Sequence, residues 1–319
     1  MFALITAIAT KLLPLWIVCA ALLAYHFPGS FSFLQNWTAP SLAFILFTMG
    51  LTLSRESLRR VIVRPKLALL GVGGKWTITL GISVLLAVLF FPDNPALLAG
   101  VVLAGAVPSG TTANLYTYMA GGALALSITM SAIDTLIGPF LTPLIMEKAV
   151  GSIVPVQFWP VFWQMVYVVL LPIALGLFIQ WKWEKHLTQV RKLIPLMSTA
   201  AVLIINLAVV SGAQAMLQSH LSLLPLLFLC VFLQVALPLL LGYLYGAGLR
   251  APEAERRALS YEFGICNTAL AALLAMHHIG PLAAVPAVAN LITNTCVGSL
   301  LAVTWQPLFA RRRLKEKQG

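Results

Sequence analysis

The chain has 319 residues, 60% of them hydrophobic and only 9% charged, with a mean hydropathy of +0.95. Soluble domains carry about 25% charged residues, so this composition excludes a soluble enzyme or binding module and describes a polytopic membrane protein. The net charge of +11 would suit a nucleic-acid binder, but its placement along the chain, set out below, excludes that reading too.

A spanning helix needs about 20 apolar residues. Ten segments meet that pattern: 12–27, 38–54, 67–90, 96–119, 123–146, 157–180, 195–217, 222–247, 253–277 and 281–308. The first follows Lys11 and has no well-placed small-x-small cleavage site before Pro28, so it counts as a span and not as a removed leader. Turn-forming residues and charges separate the others, as at Pro28-Gly29, Arg64-Pro65, Pro92-Asp93-Asn94-Pro95, Gly121-Gly122 and Pro281. The sequon Asn36-Trp37-Thr38 reads as chance, because nothing else points to a secretory pathway. Cys19, Cys230, Cys266 and Cys296 all lie in apolar segments without metal-ligand spacing, so they read as reduced thiols and not as a disulfide framework or a zinc site.

The basic residues fall almost entirely on one side. Lys11, then Arg55, Arg59, Arg60, Arg64 and Lys66, then Lys182, Lys185, Arg191 and Lys192 alternate with spans in the same sense. Arg250, Arg256 and Arg257 follow, and then Arg311, Arg312, Arg313, Lys315 and Lys317. Only Lys148 falls on the opposite side, and Lys75 lies inside a span. Positive charge retains loops in the cytoplasm, so both termini are expected to be cytoplasmic, in the inner (plasma) membrane of a cell. The tail 309–319 then acts as a basic topology anchor, with neither nucleic acid nor an obligate protein partner implied.

Two of the ten spans are interrupted. The fourth carries Pro108-Ser109-Gly110-Thr111-Thr112-Ala113-Asn114, and the ninth carries Glu262-Phe263-Gly264-Ile265-Cys266-Asn267-Thr268. Proline removes an amide donor and disfavours helix before it. Non-helical backbone at membrane depth survives only where it lines a cavity or is buried in protein. The breaks occupy the same place in two five-span halves, 1–150 and 151–308, and an odd number of spans inverts the second half on the first. Such paired breaks mark a transporter's site near the midplane. Glu262 strengthens that reading, because a carboxylate in a spanning helix costs several kcal/mol, on the order of 3 at the helix centre, and ordinarily faces a polar cavity and pairs with a cation. Ser127, Ser131 and Asp134 follow at steps of four and three, which places them on one helix stripe. Their hard oxygens suit a small hard cation.

These broken segments resemble the bile acid:sodium symporter family, as do Met49-Gly50-Leu51-Thr52-Leu53 and Gly298-Ser299-Leu300-Leu301-Ala302. The likeness runs from about residue 10 to 308. It implies an all-α membrane fold of ten transmembrane helices in two inverted five-helix repeats. Broken helices 4 and 9 cross in a core domain, and helices 1, 2, 6 and 7 form a panel domain. It further implies a first sodium site at Asn114, Ser127, Ser131 and Glu262, although the serine the family places before the asparagine is Ala113 here. At the second sodium site the family's two glutamines are replaced by Lys75 and Cys266. Lys75 is then expected to act as a tethered cation in place of that sodium, beside Glu262 or Asp134. It lies about nine residues into its span, roughly 13 Å deep, which makes snorkelling to the interface a long reach. Asp134 is additional to the family pattern and is expected to pair with Lys75 or to carry a proton, so the coupling ion is sodium or a proton and no other cofactor is implied.

A helix restarting at Thr111-Thr112 presents free amides to an anion, and Asn267 and Asn294 occupy positions where the family lines its substrate cavity; Asn294 stands where the family has a histidine. The expected cargo is a small organic carboxylate carried by alternating access. Bacterial family members that move pantothenate precursors make pantoate or 2-dehydropantoate the best guess. A bile acid or other organic-anion symporter, an uncoupled facilitator or channel with a structural Lys75–Glu262 pair, and a sensor that binds without transport remain as alternatives. His277 and His278 read as interfacial residues, not a metal site. Ser109 has no G-x-S-x-G elbow around it and no evident His/Asp partner, so hydrolase chemistry is not expected.

Overall fold

A computed structural model describes residues 12–52, 65–183, 187–219 and 221–316. Twelve helices are named here in chain order. They are α1 (Leu13–His26), α2 (Thr38–Thr52), α3 (Pro65–Phe90), α4 (Pro95–Gly105), α5 (Thr111–Met119) and α6 (Leu124–Ala149), followed by α7 (Phe158–Trp183), α8 (Thr188–Ser219), α9 (Leu224–Gly248), α10 (Glu253–Gly264), α11 (Thr268–His278) and α12 (Pro281–Glu316). A π-helical turn, Val166–Leu170, interrupts α7. Leu53, Lys11, Arg55, Arg59, Arg60, Arg64, Lys185 and Lys317, used above for motif and topology, lie outside the described residues.

Among the described residues, six helices are long and apolar enough to cross a bilayer: Lys66–Phe90, Leu124–Ala149, Phe158–Trp183, Leu193–Ala215, Leu221–Gly248 and Pro281–Trp305. The remaining four of the ten expected segments fall short for two physical reasons. The fourth and ninth are each cut in two, which leaves Pro95–Gly105 and Thr268–His278 as short apolar helices. The first two are long and apolar enough only together, as Leu15–His26 and Pro28–Leu51, a pair bent by 116°. The all-helical, apolar architecture is that of an integral membrane protein.

The helices pack in two sets. In one, α2 lies against α7 and α8, and α8 lies against α1. In the other, α9 packs on α10 and α3, α4 on α3 and α12, and α11 on α12. The sets meet where α8 touches α12 and α7 touches α6. Without a hydrophobic drive between helices in lipid, close approach depends on small residues, and α2 and α7 cross at Gly50 and Gly176. A Cβ on Gly176 would lie 2.2 Å from the Phe47 carbonyl oxygen, and one on Gly50 would lie 2.4 Å from that of Ile173. The obstacle is backbone, which cannot swing aside. Gly176→Val should therefore cost at least the ~1–3 kcal/mol of ordinary overpacking. The expected readout is a lower melting temperature in detergent; an unchanged one would mean that the crossing is not tight.

Candidate cation and substrate site

The two interruptions meet. α4 ends at Gly105 and α5 starts at Thr111, while α10 ends at Gly264 and α11 starts at Thr268. Between them Ser109 and Cys266 form an antiparallel bridge. The Gly110 amide donates to the Ile265 carbonyl at 2.8 Å, and the Asn267 amide donates to the Pro108 carbonyl at 2.8 Å. Each unwound segment thus supplies hydrogen bonds that the other lost, which is how open backbone survives away from water. The crossing gathers two helix C-terminal ends, α4 and α10, and two N-terminal ends, α5 and α11. Partial negative and positive charge are brought together at one place.

Glu262, on the last turns of α10, is fully buried. Ser127 Oγ donates to its Oε1 at 2.6 Å, and Ser131 Oγ lies 3.0 and 3.1 Å from the two carboxylate oxygens. Asn114, from α5, closes the ring: its Oδ1 is 2.8 Å from Ser127 Oγ and its Nδ2 is 3.3 Å from Ser131 Oγ. The four residues grouped by sequence are therefore brought together, from three helices. The set offers two hydroxyl oxygens, an amide oxygen and a carboxylate, all hard donors suited to a small cation. Turning the hydroxyl protons outward would present lone pairs to an ion without moving a helix.

Lys75 is also buried, at 1% exposure, so it does not snorkel. Its Nζ donates to Asp134 Oδ2 at 2.8 Å and to the Val107 carbonyl at 2.6 Å, and it lies 4.3 Å from the Trp76 ring centroid. The ion pair is thus Lys75–Asp134, whereas the facilitator alternative had paired Lys75 with Glu262. Asp134 accepts three further bonds: from the Ser109 amide at 2.6 Å, from Ser109 Oγ at 2.9 Å and from Trp76 Nε1. Ser109 Oγ also lies 3.0 Å from the Glu262 carbonyl oxygen. Ser109 and Trp76 are site residues that sequence reasoning missed. The polar Pro108-Ser109-Gly110 step and the indole next to a buried lysine were the available signals.

Thr111 and Thr112 stand half-buried in the first turn of α5. Asn267 caps α11, its Oδ1 accepting from the Leu270 amide at 3.2 Å. Asn294, on α12, is 3% exposed and donates to the Cys266 carbonyl at 3.3 Å; its Oδ1 has no hydrogen-bond partner among the described residues. These four residues therefore surround the positive ends of α5 and α11. Among the described residues, no group of three or more His, Cys, Asp or Glu is placed to hold a metal. His277 and His278 instead bracket the Gln164 side chain at 2.7 and 2.5 Å. Cys19, Cys230, Cys266 and Cys296 are free thiols. Arg257, counted by sequence as a loop charge, is buried inside α10: it donates to Glu253 at 3.0 Å and to the Ala120 carbonyl at 2.7 Å, so it ties the end of α5 to α10.

Crossed half-helices around a buried carboxylate, within an all-helical membrane fold, define a membrane transport protein. Residues 39–220 match the sodium bile acid symporter family. The chain is 33% identical over 307 residues to the uncharacterized sodium-dependent transporter YocS of Bacillus subtilis, covering 96% of this chain and 92% of that one. It is 31% identical over 301 residues to the probable sodium/metabolite cotransporter BASS1 of Arabidopsis thaliana, covering 92% and 73%. A rice protein of the same description is 30% identical over 303 residues, covering 92% and 72%. The chain belongs to the sodium bile acid symporter family and is a transporter, not an enzyme.

Proposed function

We propose that this protein is a cation-coupled secondary transporter of a small organic carboxylate, with pantoate or 2-dehydropantoate as the best candidate. The observation that carries this reading is the meeting of two half-helix N-termini, at Thr111 and Thr268, beside the buried Glu262 cluster. An anion is favoured at the positive helix ends, and a cation is favoured at Asn114, Ser127, Ser131 and Glu262. The names of the bacterial and plant relatives support sodium as that cation.

In this reading the helices form ten spans in two inverted five-helix repeats, 1–150 and 151–308, with both termini cytoplasmic in the cell membrane. The set α1, α2, α7 and α8 is the panel, and the rest is the core that moves against it. Cation binding orders the crossing and thereby raises substrate affinity, because each ligand shifts the equilibrium that the other reads. Thr111, Thr112, Asn267 and Asn294 hold the carboxylate and its oxygen-bearing substituents. The unpartnered Oδ1 of Asn294 is an acceptor available to a substrate hydroxyl.

The test is uptake of labelled pantoate into proteoliposomes under an imposed sodium gradient, compared with an imposed pH gradient. Accumulation above the external concentration with sodium supports the full reading. Accumulation with the pH gradient alone would replace sodium by a proton. Equilibration without accumulation would make the protein a facilitator, and no uptake would remove the substrate assignment.

A further inference from the structure

Among the described residues, the buried charged side chains are Lys75, Asp134, Arg257 and Glu262. Arg257 is balanced by Glu253 near the start of α10. The crossing itself therefore holds one fixed cation and two carboxylates. Asp134 takes the lysine: it receives Lys75 Nζ as well as the Ser109 amide, Ser109 Oγ and Trp76 Nε1. Among the described residues, Glu262 receives only hydroxyl donors. A neutral donor stabilises a carboxylate but does not cancel its charge, and an uncompensated charge in a water-poor interior is costly. One negative charge is left over, and it lies on the residue surrounded by cation-type oxygens.

The position of Lys75 Nζ matters as much as its charge. It sits on the Val107 carbonyl, just past the C-terminal end of α4, and on a carboxylate oxygen. Those are the ligands a sodium ion would take at the negative end of a broken helix. The ammonium occupies that place and cannot leave it, because it is covalently part of α3.

We propose that Lys75 and Asp134 set the ion count of this transporter. Their pair closes one cation position for good, so a single monovalent cation, bound at Glu262, accompanies each substrate. A monocarboxylate then crosses with no net charge. The cargo in that statement rests on the transport reading above, whereas the count of cations rests only on the buried charges.

The experiment counts sodium ions bound to the purified full-length protein by equilibrium dialysis with labelled sodium, without any carboxylate present. One ion per chain is expected for the wild type. Lys75→Gln removes the fixed cation and should raise the count to two, and Lys75→Gln combined with Asp134→Asn should return it to one. A purely structural ion pair would leave all three counts equal. Two ions in the wild type, no gain in Lys75→Gln, or no sodium bound by any variant would overturn the proposal. Should Lys75→Gln fail to fold, the accumulation ratio of the wild type decides instead: about tenfold at a tenfold sodium gradient supports one coupled ion, and about a hundredfold overturns it.

Flux adds an independent reading. In proteoliposomes a tenfold sodium gradient should sustain about tenfold accumulation of a monocarboxylate, against about a hundredfold for two ions. A valinomycin-clamped potassium potential should leave that ratio unchanged. One bound sodium without pantoate uptake would remove the substrate assignment and keep the ion count; uptake that follows the square of the sodium ratio would do the reverse.

Discussion

Glu262→Gln should abolish cation-coupled accumulation while the protein stays folded. Glutamine has nearly the same shape and can still hydrogen-bond to Ser127 and Ser131, which lie within 3.1 Å of the carboxylate. What is lost is the charge that balances the ion. Removing one member of a buried charged contact costs about 2–5 kcal/mol, which weakens cation binding by roughly 30-fold to several thousand-fold. At working sodium concentrations the site would then stay empty. Concentrative uptake should vanish, whereas exchange of labelled for unlabelled substrate across the membrane should persist if substrate binding survives. Ser127→Ala should be milder, because Ser131 and Asn114 remain. Wild-type sodium dependence in Glu262→Gln would remove the cation site from this cluster altogether.

The two broken helices were legible because membrane helices tolerate so little. A Pro-Ser-Gly step and a Glu-Phe-Gly step inside apolar runs can be read as interruptions without any knowledge of the fold. The grouping of Ser127 with Ser131 followed from helix periodicity, and the structure places both against Glu262. Pairing across helices was harder. Lys75 and Asp134 are 59 positions apart, and nothing in local sequence fixes how α3 is rotated against α6, so Lys75 could only be placed near either carboxylate. Ser109 was read as part of a helix break and rejected as a nucleophile, but not as a partner of Asp134, which its amide and hydroxyl both serve. Charge counting has its own blind spot. It treats each arginine at a span boundary as solvated, yet Arg257 is one turn inside α10 and buried against α5. The bend of 116° between the first two segments was not legible, since hydropathy registers an apolar run but not where a helix bends.

Asp134→Ala should be the most damaging single substitution at the crossing. It strands the Lys75 ammonium at 1% exposure and leaves the Ser109 amide and the Trp76 indole without their acceptor, while the Ser109 hydroxyl keeps the Glu262 carbonyl. Breaking a buried pair by removing one partner costs about 3–5 kcal/mol, a large share of the roughly 5–15 kcal/mol by which folded proteins are stable. The expected result is little monodisperse protein after detergent extraction and a sharply lowered melting temperature. Adding Lys75→Met should recover much of the loss, because replacing both charges by apolar groups is far cheaper than leaving one alone. Recovery should stay incomplete, since the Ser109 amide would still lack an acceptor in the interruption between α4 and α5. The double variant thus separates the cost of the unpaired charge from the cost of the unsupported backbone. A melting temperature in Asp134→Ala equal to that of the wild type would mean that water reaches Lys75, and the crossing would then not be the dry junction on which a fixed ion count depends.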